Sequence, residues 1–361
     1  MTIKILVLSN YNRILALRPE AEIFFGLKKM GLEITIMTPG GSEYAKRFEA
    51  AGIKVIDFLS RKKFDRKEIA FIRNTIIEQK IQIIHLFNSR SIINGIKAAK
   101  GLDVKIVLYR GYTGNIHWYD PTAYLKYLHP RVDKIFCNSK AVQDQINKQL
   151  LFNNSRTITI NKGHSLEWYK DITPLKLEEI PENSFTLCCT ANDRPMKGIT
   201  YLIEAINLIP KEIPIHLLIA GGSKEHFENL DIIKNAKKRD KIHVLGFRDD
   251  SLRIVSASDV FVSSSIKGES ITKSVIEAMC LGTTPLITDI TGNRELHMEG
   301  AEELVVPAKN AKALADGMMF LYNNREQCKK WGKDAQKHID QNVNHMDTVE
   351  KTYKMYMDLV S

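Results

Sequence analysis

Short apolar runs rich in β-branched residues alternate with amphipathic, charge-rich segments from the start of the chain, and this rhythm limits the fold more than any other feature. "IKILVLS", "LEITIMT", "IKVIDFL", "IQIIHLF", "VKIVLYR" and "VDKIFCN" follow one another with helical patterns between them. Strands that are apolar on both faces and separated by helices belong to a parallel sheet covered on both sides. A polar stretch without periodicity, residues 161–184, interrupts the series and contains Pro174 and Pro181. It reads as a linker. A second series then follows, "FTLCCTA", "PIHLLIAGG", "KIHVLGF", "DVFVSSS" and "TPLITD", and from about residue 309 three helical patterns close the chain.

A chain of 361 residues exceeds what one average core accommodates. The expected fold class is therefore α/β, with two Rossmann-like, doubly wound parallel-sheet domains facing a cleft. The first is expected over residues 1–165 and the second over residues 166–339. Ligands of such sheets bind beyond the carboxyl ends of the strands.

Charge is divided unequally between these halves. Residues 1–165 hold 27 Lys+Arg against 13 Asp+Glu, net +14, and the remainder holds 25 against 29, net −4, which gives the total of +10. An anionic partner for the first half follows, and three readings stay open: a solvated basic surface, phosphorylated or lipid acceptors, and an anionic membrane surface. Nucleic acid is not expected, because the cations are scattered along helices without a recognition signature. The segments that face such a partner are "SRKKFDRK" (residues 60–67) and a helix expected over "RPEAEIFFGLKKM" (18–30), which sets Arg18 on the acceptor side. A core-facing helix would show the same apolar spacing.

The five cysteines have no metal-ligand spacing and indicate a reducing, cytoplasmic setting. The opening run is too short for a signal peptide, and no run approaches the roughly 20 apolar residues that cross a bilayer, so membrane contact is expected to be peripheral.

Two stretches carry candidate chemistry. In "SSSIKGESITKSVIEAMCLGTTPLITD", residues 263–289, a strand ends in serines, a loop carries Glu269, and a helix starts near Ile271, Thr272 and Lys273 with Glu277 in its first turns. Unpaired amides at such a start attract phosphate or sugar hydroxyls, and a carboxylate accepts from the two hydroxyls of a ribose. Glu277 equally suits a pairing with Lys273 one turn earlier. In "ANDRPMKGITYLIEAI", Arg194 and Lys197 stand in a strand-to-helix loop before Gly198. They either neutralise a diphosphate or are solvated loop cations. No Asp-x-Asp pair or His/Cys cluster accompanies them, so no metal or other cofactor is expected.

Together with "LVVPAKNAKALADGM", these stretches resemble the donor-binding half of the retaining glycosyltransferases of family 4, which have the GT-B fold. The resemblance covers about residues 184–322, and is looser over the first half, where it rests on the strand rhythm and "VDKIFCNSKAV". It implies that Glu277 holds the ribose, Arg194 and Lys197 the diphosphate, and that Glu269 lies by the donor sugar. Ile271, Thr272 and Lys273 would offer backbone amides, while Phe247, Arg248 and Gly221 would complete the donor site. It also implies that the last helix, from roughly residue 340, packs back on the first domain.

Three departures from the family stand out. "SNYNRILALRPE" has no glycine turn after the first strand, Arg110 stands where many members have histidine, and Thr272 stands where a small residue is common. Arg110 cannot act as a base, but it can hold a carboxylate or phosphate, or simply close a strand end. His117, beside Trp118 and Tyr119, is either an acceptor platform or solvated; His85 either lines the cleft or sits in the core; His164 either touches the donor from the hinge or makes a structural bond.

The activity implied is metal-independent, retaining transfer of a sugar from a UDP- or GDP-linked donor to a saccharide or lipid-linked acceptor in the synthesis of envelope polysaccharide, lipopolysaccharide or glycolipid. Its setting would be the cytoplasm, with peripheral contact at the inner membrane face. The rival expectations are a non-catalytic nucleotide-binding subunit of an envelope glycan assembly complex and another GT-B enzyme, such as a sugar-nucleotide epimerase or a phosphorylase.

Overall fold

The first seven strands are β1 (Lys4–Leu8), β2 (Glu33–Thr38), β3 (Lys54–Asp57), β4 (Ile83–Leu86), β5 (Lys105–Arg110), β6 (Lys134–Cys137) and β7 (Thr157–Thr159). They form one sheet in the order β3-β2-β1-β4-β5-β6-β7, parallel throughout. The structure is a computed structural model that describes residues 2–12, 14–150, 154–268 and 270–361, without the side chains of residues 14–16 and 154.

Strand β1 shows why the runs are apolar on both faces. Ile5 and Val7 enter a core with Phe24, Ile36 and Tyr356, while Leu6 and Leu8 enter the opposite core with Ile72, Ile84 and Ile92. Successive strand side chains point to opposite faces, so both faces need a helical cover. The helices Ile14–Lys29 and His345–Val360 cover the first face, and Arg66–Glu78 and Ser89–Ala98 the second.

The second sheet holds β8 (Phe185–Thr190), β9 (Ile215–Ala220), β10 (Ile242–Gly246), β11 (Val260–Ser263), β12 (Thr284–Asp289) and β13 (Val305–Pro307), in the order β10-β9-β8-β11-β12-β13. It too is parallel throughout. Strand order reverses between β8 and β11 here, and between β1 and β4 in the first sheet. Those reversals mark where loops diverge and leave room for a ligand.

The chain divides into Met1–Gly163 with His345–Ser361, and His164–Asn344. Each unit secures its own end of the crossing segments. In the first, the Gly163 amide donates to Thr348 Oγ1 at 2.9 Å and Thr348 Oγ1 donates to the Asn161 carbonyl at 2.7 Å. In the second, the His164 amide donates to the Val343 carbonyl at 2.9 Å. The closing helix packs on the first unit, where a Cβ at Gly26 would lie 2.6 Å from Val349.

Three local expectations need correction. The helix expected over 18–30 begins at Ile14 and runs through Pro19, whose missing N–H leaves the Leu15 carbonyl without its usual partner. The stretch 161–184 is no loose linker: beyond His164 it belongs to the second unit, where Tyr169 is buried and Trp168, Ile172, Leu177 and Ile180 pack on the core. Strands β7 and β13, three residues each at sheet edges, were not expected. All five cysteines are free and buried.

Candidate functional site

In the second unit, the loops that leave β8 and β11 meet at the strand-order reversal. Gly198 adopts φ +68°, and a Cβ there would stand 2.0 Å from the Ser264 carbonyl oxygen. Only glycine permits that approach. Ser264 Oγ donates to the Lys197 carbonyl at 2.9 Å, and the Ile266 amide donates to the Met196 carbonyl at 2.8 Å. The Arg194–Lys197 loop is thereby stitched to the loop that leads to Glu277.

The neighbouring strand ends are drawn in similarly. Gly221, at φ +95°, donates its amide to the Gly246 carbonyl at 2.7 Å, and a Cβ on it would lie 2.6 Å from the Ala191 carbonyl. Asp193 Oδ1 accepts from the Ser223 amide at 2.9 Å. Beyond Gly246, Phe247 is 76% exposed, and Arg248 forms a two-point pair with Asp250 at 2.7 and 2.8 Å.

Both helices that start at this junction lack a side-chain cap. Ile199–Leu208 follows Gly198, which has no side chain to offer. Lys273–Cys280 follows Thr272, whose hydroxyl donates instead to Asn293 Oδ1 at 2.7 Å and makes no bond to the helix amides. Ser42, Asp65, Asn88 and Ser139 do cap their helices. In Lys273–Cys280 the Val275 amide already donates to the Thr272 carbonyl at 3.0 Å, but the earliest amides of a helix precede the intrahelical ladder, so these two starts are suited to an anion.

Thr272 is placed by a buried chain of bonds that the sequence reading did not single out. Asn293, fully buried, donates to the Thr288 carbonyl at 3.0 Å, and Thr288 Oγ1 donates to the Ser263 and Ser265 carbonyls at 3.2 and 2.5 Å. The signal was a polar "TDITGN" directly after an apolar strand.

Arg194 is exposed and its amide donates to Asn192 Oδ1; Lys197 is half-buried. Burial pushes the neighbouring Cys189 thiol up to about 12, against the pull of the Lys197 charge. Ile271 is buried, and Glu277 is 15% exposed with its carboxylate paired to Lys273. Glu269 lies outside the described residues.

The candidate residues of the first unit are arranged differently. Arg110 is buried: its Nε donates to the Tyr112 carbonyl at 2.8 Å, its Nη2 donates to the Gly114 carbonyl, and the guanidinium lies over the Tyr112 and Tyr127 rings. Instead of projecting from a strand end as a catalytic group, it fixes the loop after β5. His85 is also corrected, because it is 1% exposed within an aromatic cluster and does not face an acceptor. Its Nδ1 lies 2.6 Å from Tyr356 Oη, and Phe24, Phe87 and Phe136 surround the ring. Burial, reinforced by the Lys162 charge, lowers its pKa to about 3.

His117 stacks on Tyr119 at 5.0 Å, with Trp118 53% and Tyr119 66% exposed beside it. Arg18 is half-buried in its helix. His164 is buried, with Nδ1 2.7 Å from Tyr169 Oη in the second unit. Among the described residues there is no group of three or more His, Cys, Asp or Glu able to hold a metal ion. No described helix is long and apolar enough to cross a membrane.

A model of Glycosyl transferases group 1 matches residues 175–338, and one of Glycosyltransferase Family 4 matches residues 21–168. The uncharacterized glycosyltransferase MJ1069 of Methanocaldococcus jannaschii is 26% identical over 249 residues, 68% of this chain and 63% of that one. The UDP-Gal:alpha-D-GlcNAc-diphosphoundecaprenol alpha-1,3-galactosyltransferase of Escherichia coli is 25% identical over 207 residues, 56% of this chain and 50% of that one. Matches to curated relatives such as these span 50% to 63% of the relatives' own length. The crystal structure of Anabaena Alr3699/HepE in complex with UDP-glucose superposes with a TM-score of 0.75 at 17% identity, covering 99% of both chains. With a family model over each half and the GT-B fold in both sheets, the chain belongs to the family 4 type of glycosyltransferases.

Proposed function

We propose that the chain is a retaining glycosyltransferase that takes a sugar from a UDP- or GDP-linked donor, without a metal, and passes it to a saccharide or lipid-linked acceptor of the cell envelope. The observation that carries this reading is the junction of β8 and β11, where two helices start without a side-chain cap and the Arg194–Lys197 loop is bonded through its backbone to the loop that leads to the half-buried Glu277. Such a site offers an acceptor for a ribose diol and fixed positive charge for a diphosphate.

In the reaction, an acceptor hydroxyl bonds to the donor's anomeric carbon from the face the nucleotide leaves. The bond from that carbon to the phosphate oxygen breaks, its electron pair goes to the departing diphosphate, and that phosphate oxygen takes the proton of the acceptor hydroxyl. Arg194, Lys197 and the first-turn amides of Lys273–Cys280 stabilise that charge, the work a metal performs elsewhere. Gly221, Phe247 and Arg248 border the donor on the β9 and β10 side, and Glu269 belongs by the sugar.

Support for a nucleotide sugar comes from the Anabaena structure, which was solved with UDP-glucose. Support for a lipid-linked acceptor comes from the name of the Escherichia coli relative and the net charge of +14 on residues 1–165. Peripheral contact with an anionic membrane surface belongs to the same proposal, as do Arg18 and the ring of His117 on the acceptor side.

Calorimetric titration with UDP, GDP and their common sugar conjugates, without added metal, tests the proposal. One nucleotide should bind in the micromolar range, and Glu277→Ala should weaken it by about 1–3 kcal/mol. Absence of binding by all of them would overturn the reading.

A further inference from the structure

Lys273 stands at the first position of the helix Lys273–Cys280, where a cation works against the helix. The positive end of the macrodipole repels it, and a Lys placed four residues before a Glu is the weaker orientation for a helical ion pair. The first turn has no acidic residue to compensate. Thr272 leaves the amides uncapped because its hydroxyl is committed to Asn293. Helix stability therefore offers a lysine here only the weaker orientation of an i,i+4 pair, in which its ammonium contacts Glu277 Oε1, with Lys273 35% and Glu277 15% exposed. The backbone of the neighbouring loop, at Met196 and Lys197, is bonded to the same junction by the Ile266 amide and the Ser264 hydroxyl.

We infer that Lys273 exchanges partners when the donor binds: it neutralises Glu277 in the empty site and moves to the terminal phosphate of the nucleoside diphosphate once a ribose diol takes the carboxylate. This rests on the donor-site reading of Glu277. The exchange answers a problem of charge. An empty site with an unpaired, largely buried carboxylate would be unstable, and a permanently paired one could not accept the ribose hydroxyls. A flexible four-carbon stem at the start of the helix lets one ammonium serve both states. The diphosphate then gains a charge-assisted bond that the monophosphate, lacking the outer phosphate, does not make.

The test is calorimetric titration of the full chain with UMP, UDP, GMP and GDP, for wild type, Lys273→Met, Lys273→Arg and Glu277→Gln, with thermal unfolding of each variant as the folding control. For whichever base binds, Lys273→Met should weaken the diphosphate by about tenfold or more. It should leave the monophosphate unchanged or up to about threefold tighter, because the competing ammonium is gone. Lys273→Arg should restore most of the diphosphate affinity. Equal weakening of monophosphate and diphosphate by Lys273→Met would show that the lysine acts only by placing Glu277, and unchanged affinity for both would show a surface pair; either overturns the inference. If Glu277→Gln leaves all affinities unchanged while Lys273→Met still lowers that for the diphosphate, the ribose role of Glu277 has failed and the exchange with it, whereas the phosphate contact stands.

Discussion

A Cβ placed on Gly198 would lie 2.0 Å from the carbonyl oxygen of Ser264, inside van der Waals contact and between two backbones that cannot swing aside. Gly198 also holds φ at +68°, a region that costs a side-chain-bearing residue about 1–2 kcal/mol. Gly198→Ala should therefore destabilise the second unit by roughly 2–5 kcal/mol, the backbone term plus overpacking. It should also reduce nucleotide affinity, because the Lys197 carbonyl and Ser264 hydroxyl separate. Urea unfolding with parallel nucleotide titration checks both effects; a variant as stable as wild type would mean that the two loops are not joined.

Stability should fall with acid in a way that His85 dominates. Its folded-state pKa, about 3, lies below the ordinary 6.5, so the unfolded chain binds the proton more readily. The contribution is full above pH 6.5 and is lost as pH falls toward 3, amounting to about 2 kcal/mol between pH 7 and pH 5. His216 and His243, 3.0 Å apart on β9 and β10, are also depressed, chiefly by burial, and act in the same direction. His85→Phe, in a pocket already lined by Phe24, Phe87 and Phe136, should flatten the pH dependence of the urea midpoint over that window. An unchanged slope would assign the acid sensitivity elsewhere.

The parts of this molecule that were legible in its sequence are those in which one local rule dominates. β1 and β12 read directly because an unbroken apolar run has few alternatives to a doubly covered strand, and Lys273–Cys280 read because its loop, polar start and apolar stripe agree. β7 and β13 were missed because a three-residue edge strand is defined by its neighbour, not by a pattern of its own. The helix start at Ile14 was hidden by Pro19, which biases Arg18 away from helix. At the site, Glu277, Arg194 and Lys197 were visible as residue types at helix entries, but the Thr272–Asn293–Thr288 chain depends on contacts across the sheet end. Arg110 was a candidate because it stands where many members of the family have histidine, and His85 because it closes an apolar strand. What Arg110 does was decided by how the following loop folds back, with the Tyr112 and Gly114 carbonyls taking its N–H groups, and what His85 does by Tyr356, 271 residues away.

Glu20, buried, and Lys162, half-buried, form an ion pair at 2.7 Å across 142 residues, and Ser9 donates to the other Glu20 oxygen at 2.7 Å. Burial opposes the Lys162 charge, but Glu20 and Tyr109 outweigh it, and the Lys162 pKa rises well above that of a free lysine. The ammonium also lies 4.0 Å from the Tyr109 ring centroid. The segment after β1 has no glycine turn and is held through this network. Glu20→Gln leaves a half-buried cation without its carboxylate and should cost about 2–3 kcal/mol, below the cost for a fully buried charge, whereas Glu20→Gln combined with Lys162→Met should cost less. Chemical denaturation of the two variants and Lys162→Met gives the coupling; additive losses would mean that the pair contributes nothing as a pair.

The loop from Arg61 to Phe64 is built to present cations and a ring together. Asn94, fully buried, donates to the Lys62 carbonyl at 2.9 Å and to Glu68 Oε2 at 2.8 Å, and its Oδ1 accepts the Phe64 amide at 2.9 Å. Glu68 Oε1 accepts the Arg61 amide at 2.9 Å. Held this way, Phe64 takes φ +60°, a strained value for an aromatic residue, and remains 44% exposed with the Lys97 ammonium 5.2 Å from its ring centroid. In the proposed membrane contact, this loop is where anionic headgroups and an interfacial ring meet the protein. Sedimentation with vesicles should then show binding to anionic but not zwitterionic lipid. Lys62→Glu with Lys63→Glu should lower it by about tenfold or more, at roughly 1 kcal/mol for each cation removed. Asn94→Ala alters no charge but frees the loop, and should lower binding by about threefold or more, because at roughly 1–2 kcal/mol per residue the loop must then be ordered on the lipid surface. Equal binding to both lipid types, or indifference to the double substitution, would remove the membrane from the proposal and leave the loop's basic face to the acceptor.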